Sequence, residues 1–238
     1  GYSFGPHLHM EIRTTDTNEP IDPLPFYKDK IMDNIAPRAT HIMVYGAKGE
    51  GKVALDGNSK NVKEVDGKII FNTQYPILKS LTAWGRISTA ISANDYMDGT
   101  TNNYGVRYVR LYVDNRLVSS SDVDRFDFNE NRLINSWTDY AEQRRSGRWY
   151  MCSSIAENNN LRMLHADKQR GWVTIDEERD YHFRYELEDL YGNRSNYRFV
   201  VRGKRMDIPQ RLPDYYYLMD ASRPNRFYTQ GFELWIPK

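Results

Sequence analysis

Between Tyr181 and Glu188 apolar and polar residues alternate without a break. Tyr181, Phe183, Tyr185 and Leu187 fall on one side, and His182, Arg184, Glu186 and Glu188 on the other. Side chains of an extended strand point alternately to opposite faces, so this period of two commits the segment to a half-buried β-strand. A helix would spread the same apolar residues around its circumference. The run from Val106 to Val113 obeys the same rule, with Val109, Leu111 and Val113 alternating with Tyr108, Arg110 and Tyr112. Asp114-Asn115 then supplies a turn, and Leu117-Val118 begins the return strand. Tyr197 to Val201 forms another alternating strand, joined to the first across Asp189-Leu190-Tyr191-Gly192-Asn193, where glycine and asparagine can take positive φ.

Further strands are predicted at Ala39–Tyr45, Lys68–Phe71, Ile87–Ala93, Asp124–Phe128, Trp149–Ile155 and Gly171–Ile175. Gly46 to Gly51 reads as a hairpin turn; no Lys-Ser/Thr follows in the order that a phosphate-binding loop requires. Residues 130 to 146 break the pattern. Leu133, Ile134, Trp137, Tyr140 and Ala141 recur at helical spacing, Asn129 can cap the start, Arg144 and Arg145 suit the negative end of the helix dipole, and Gly147 stops it. Short strands separated by turn signals predict an all-β fold, a β-sandwich carrying one short amphipathic helix.

The composition narrows the function classes. The formal net charge is +1 with 27% charged residues, which leaves no basic excess of the kind nucleic-acid binding requires. No apolar run is long enough to span a bilayer as a helix. A single cysteine, Cys152, excludes an intrachain disulfide; set between Met151 and Ser153 in a strand-like run, it reads as an inert buried thiol.

The chain opens on Gly5-Pro6-His7-Leu8-His9-Met10-Glu11-Ile12-Arg13. On a strand His7 and His9 project to the same face, with Leu8 turned away. This stretch resembles the second metal motif, HxH, of the lysostaphin-like zinc endopeptidases, which cut the peptide cross-links of bacterial cell walls. Asn18-Glu19-Pro20-Ile21-Asp22-Pro23-Leu24-Pro25-Phe26 resembles the segment in which those catalytic domains end. The resemblance makes His9 a zinc ligand and His7 the catalytic partner. It implies a zinc cofactor in the intact parent and peptidoglycan stem peptides as substrate. The family's first motif, HxxxD, lies upstream of HxH and is not in this sequence, so this chain alone is expected to be inactive and to hold no zinc tightly. His41, His165 and His182 lack ligand spacing to a neighbour.

Val106 to Asp114 and Asp189 to Asn193 resemble the immunoglobulin-like domain that follows the peptidase domain in many Bacteroidetes-type homologues. The expected layout is a peptidase remnant and linker over 1–30, an immunoglobulin-like sandwich over 34–204, and an extended tail or the start of another β-domain over 205–238. The linker carries prolines at 20, 23, 25 and 37. The expected role is accessory: positioning or regulating the peptidase domain, or binding a wall component, in the periplasm, the cell envelope or outside the cell. The alternative is a non-enzymatic carbohydrate- or peptide-binding module, for which exposed faces of Trp84, Trp149, Trp172 and Trp235 would be needed. The strand 7–13 is expected to pair with another part of this chain or with a second copy, because its backbone groups need partners. The loop Asp95 to Asn103 carries calcium-type oxygen donors but lacks EF-hand spacing, and reads as a polar turn.

Overall fold

The computed structural model describes residues 10–56, 61–75 and 81–208, together with the backbone of 228–230 and 233–235. The fold is all-β. In chain order the elements are β1 (Ile12–Arg13), β2 (Pro20–Ile21), a 3-10 turn (Leu24–Tyr27), β3 (Arg38–Leu55), β4 (Val62–Val65), β5 (Lys68–Asn72), β6 (Leu81–Tyr96), β7 (Asn103–Tyr104), β8 (Tyr108–Val113) and β9 (Arg116–Asp122). There follow α1 (Ile134–Trp137), α2 (Tyr140–Ser146), β10 (Met151–Cys152), β11 (Leu164–Ala166), β12 (Val173–Ile175), β13 (Asp180–Glu188), β14 (Arg194–Gly203), β15 (Tyr228–Gln230) and β16 (Glu233–Trp235).

Most strands join one curled sheet in the order β11-β9-β8-β13-β14-β6-β3-β5-β4, with β7, β10 and β12 added along β6. The β14–β6 junction is parallel, through Val201↔Leu81 to Gly203↔Ala83; the other pairings are antiparallel. The curl brings the inner faces of β8, β13 and β14 over those of β3, β5, β6 and β12, and one apolar core fills the space between. The alternation of β13 decides which side chains enter it: Tyr181, Phe183, Tyr185 and Leu187 are all buried, and Phe183 stacks on Phe199 at 5.0 Å. Each such burial contributes about 1.5–3 kcal/mol. The β8–β9 hairpin turns at Asp114 (φ 49) and Asn115 (φ 64), the two left-handed residues that a tight hairpin requires.

Three sequence expectations need correction. Gly46 to Gly51 is not a hairpin. β3 pairs with β6 on both sides of it, Gly46 opposite Ile87 and Gly51 opposite Gly85, so the segment is a wide bulge within one long strand. A Cβ on Gly51 would sit 1.8 Å from the carbonyl oxygen of Arg86, so only glycine closes the base of the bulge. Asp124–Phe128 is not a strand but a loop that contributes a single bridge, Ile21↔Arg125.

The helix expected over 130–146 is two short helices after a 3-10 turn at Asn131–Leu133. Thr138 is extended (φ −100, ψ 153) and breaks the run, and Asp139 starts the second helix by accepting the N–H of Glu142 at 2.9 Å. Trp137 is buried against Leu161 and Met163, whereas Ile134 and Tyr140 are exposed. Gly147 ends α2 with φ 74, as the sequence suggests.

Candidate metal centre

His7 and His9 lie outside the described residues. The described part of their segment begins at Met10, and Ile12 and Arg13 pair with Ile21 and Pro20. Glu11 is exposed and accepts from Arg13 at 2.7 Å. Residues 19–22 are tied to the rest of the fold. Asp22 accepts from Arg107 at 3.0 Å, its N–H donates to the carbonyl of Asp124 at 2.7 Å, and buried Glu19 accepts from Arg162.

The other sequence candidates fall in separate places. His182 sits on the outer face of β13, exposed as the alternation requires. His41 has a buried Nδ1 without a hydrogen-bond partner, and burial, followed by the charges of Arg148 and Lys63, lowers its pKa. Burial pushes the Cys152 thiol up to about 12, which fits an inert thiol rather than a nucleophile. Trp84 and Trp172 are half-buried, with the guanidinium groups of Arg205 and Arg86 over their rings at 5.4 Å and 4.8 Å. Trp149 is exposed, and the side chain of Trp235 lies outside the described residues.

The loop 95–103, read from the sequence as a polar turn, does not form a calcium loop of its own. Its members do not gather around one point: Asp98 faces Asn34, whose Nδ2 donates to it at 2.7 Å. Asp95, at the end of β6, turns inward and meets Asp33, from the segment before β3, and Asp189, from the β13–β14 turn. One carboxylate oxygen from each of these three residues lies within 4.8 Å of the others. The relative exposures are 6% for Asp33, 6% for Asp95 and 1% for Asp189. Among the described residues this is the one grouping of potential metal ligands, and none of its members forms an ion pair with a base.

Local structure fixes each carboxylate. Asp33 accepts the N–H of Ile35 on Oδ1 at 3.0 Å, an Asx turn ahead of Pro37. Asp95 accepts its neighbour's N–H, that of Tyr96, on Oδ1 at 2.9 Å. Asp189 is held through both oxygens by Asn193, from the backbone N–H at 2.8 Å and from Nδ2 at 2.7 Å. Asn193 Nδ2 also donates to the carbonyl of Asp33 at 3.0 Å, which locks the first and third segments together. Oδ2 of Asp33 is buried and has no hydrogen-bond partner.

The electrostatics are those of crowded acids. Burial, reinforced by Asp189 and Asp33, pushes Asp95 up to about 7 against the pull of the Tyr96 N–H. Burial likewise raises Asp33, with Asp189 and Asp98 adding to it. Three carboxylates without nitrogen or sulfur donors are a hard oxygen set, which suits calcium or magnesium and not zinc.

Comparison with protein-family models, with curated proteins and with solved structures finds no match to this chain. No helix among the described residues is long and apolar enough to cross a membrane.

Proposed function

We propose that this chain is the C-terminal accessory region of a zinc endopeptidase that hydrolyses peptidoglycan cross-link peptides in the periplasm, the cell envelope or outside the cell. The observation that carries the reading is the run Gly5-Pro6-His7-Leu8-His9-Met10-Glu11-Ile12-Arg13, followed downstream by Asn18 to Phe26. His9 serves as a zinc ligand and His7 as the catalytic partner. A zinc ion held there would supply an activated water and polarise the scissile carbonyl. The accessory role draws support from the ties between the segment after the motif and the sandwich: Asp22 to Arg107, Glu19 to Arg162, and Ile21 bridged to Arg125. Such ties hold the sandwich at a set position relative to the segment that continues from the histidines.

The alternative, a carbohydrate- or peptide-binding module, draws less support. Of the tryptophans at issue whose side chains are described, two are covered by arginines and only Trp149 presents an open face.

The test uses the protein produced from its complete reading frame, incubated with purified peptidoglycan, with released fragments identified by mass spectrometry. The expected products are wall fragments cut in the stem or cross-link peptide, lost on chelation of zinc and in His9→Ala and His7→Ala. Fragment release that both variants preserve, or no release by the wild type, would overturn the reading.

A further inference from the structure

We propose that Asp33, Asp95 and Asp189 form a calcium site that straps the linker ahead of β3 to one end of the sandwich. The site is independent of the peptidase reading, since every residue in it belongs to the sandwich or to the linker entering it.

A buried carboxylate without a counter-charge is strongly disfavoured by desolvation, and a second one nearby makes matters worse. Here three meet, each more than nine-tenths buried, with no lysine or arginine among the described residues paired to any of them. Protein hydrogen bonds leave the set incomplete: Asp33 Oδ2 is out of contact with solvent and accepts from no donor. The unsatisfied oxygen belongs to the same carboxyl that Asp95 and Asp189 crowd. A cation resolves both deficits at once, neutralising the charge and occupying the empty acceptor.

The dimensions admit calcium. Calcium binds oxygen at about 2.3–2.6 Å, so two of its ligands can stand no further apart than roughly 5 Å. The three oxygens, all within 4.8 Å of one another, meet that condition. Calcium also tolerates irregular coordination, which suits ligands drawn from three separate segments, whereas magnesium demands a near-ideal octahedron.

The site sits within a row of contacts between the linker and the β13–β14 turn. Lys28 donates to the carbonyl of Leu190 at 3.0 Å, Tyr191 to the carbonyl of Ile31 at 2.7 Å, Asn193 to that of Asp33 at 3.0 Å, and Ser195 to that of Pro37 at 2.5 Å. A cation at Asp33 adds the end of β6 to this row through Asp95. Bound calcium therefore orders residues 28–37, and its removal loosens them.

The experiment is calorimetric titration of the whole chain with calcium chloride after treatment with EGTA. It is paired with thermal melts and with limited trypsin digestion, which reads Lys28 and Lys30. The expected result is one calcium per chain, with a dissociation constant of about 0.1–1 mM as in extracellular modules. At free calcium about tenfold above that constant, the melting temperature rises by roughly 3–5 °C. Cleavage at Lys28 and Lys30 slows at least about fivefold, following the ordered population. Asp95→Asn stays folded in EGTA, because an amide removes one of the repelling charges, and it loses both calcium responses. Absence of calcium binding by the folded wild type, or binding undiminished in Asp95→Asn, overturns the site. Binding without protection of Lys28 and Lys30 overturns the strap.

Discussion

The hydroxyl of Tyr197, on β14, accepts the backbone N–H of Ala39, near the start of β3, at 2.9 Å. The bond lies beside an irregularity in the ladder, where the register of β3 against β6 shifts between Ala39 and His41. A strand N–H that the ladder does not use needs another acceptor, and β14 supplies it to β3. Tyr197→Phe removes that acceptor without changing shape. The expected loss is about 1–2 kcal/mol in urea unfolding, with an unchanged m-value. A loss within error of zero would show that water replaces the hydroxyl.

Gly51 tests the bulge. Its position forbids a Cβ, because the obstructing atom is the backbone oxygen of Arg86 on β6 rather than a movable side chain. Gly51→Ala should destabilise the fold by at least about 2–3 kcal/mol, since either the bulge or the pairing with β6 must open. Gly67→Ala serves as the contrast. Gly67, unlike Gly51, has positive φ, at 71, but its Cβ would meet nothing within 4 Å, so only the strain of an alanine in that backbone region remains, about 1 kcal/mol.

The Glu19–Arg162 pair tests how the N-terminal segment is held. Glu19 is buried while Arg162 is half-exposed, so the two ends of the pair are unequal. Arg162→Met leaves the buried carboxylate of Glu19 without its partner and loosens the segment that carries it. Amide hydrogen exchange over residues 12–22 should accelerate in this variant while β13 stays protected. Equal acceleration of both regions would mean that the segment unfolds only with the whole sheet.

Asp114 carries a pH signature. Burial opposes its charge, but the N–H of His182 at 2.9 Å and Arg179 at 2.8 Å outweigh it and hold the carboxyl below its ordinary value of 3.8. A carboxyl whose pKa is lower in the folded than in the unfolded chain stabilises the fold fully above the unfolded value. The contribution disappears as pH falls through the folded value. Asp114→Asn keeps the left-handed turn and loses the charge, so it should be less stable by about 0.5–1 kcal/mol at pH 7. The difference should close below pH 3.8. A constant difference from pH 7 to pH 3 would assign the effect to the turn.

Much of the fold can be read from local pattern, because strand alternation and turn chemistry are local. Tyr181–Leu187 and Asp114-Asn115 are where the pattern places them. The failures have a common cause. Gly46 to Gly51 has the residues of a hairpin, but whether a strand turns back depends on its partner, and β6 is long enough to pair on both sides. The apolar spacing through 130–146 continues across Thr138, whose extended backbone is set by tertiary contacts: Asp139 donates its N–H to the carbonyl of Tyr150 at 3.0 Å and pairs with Lys68. The acidic site is hidden from the sequence for the same reason. Asp95 belongs to a loop rich in calcium-type donors, but its companions Asp33 and Asp189 come from segments far apart in the chain.

The row of bonds from Lys28–Leu190 to Ser195–Pro37 runs in step along both segments. Tension applied along the linker would load these bonds side by side, in shear, instead of peeling them open one after another. A proline-containing stretch that looks like a slack tether is thereby a mechanical coupling, able to pass a pull on the N-terminal segment into the strand pair β13–β14 before it gives way.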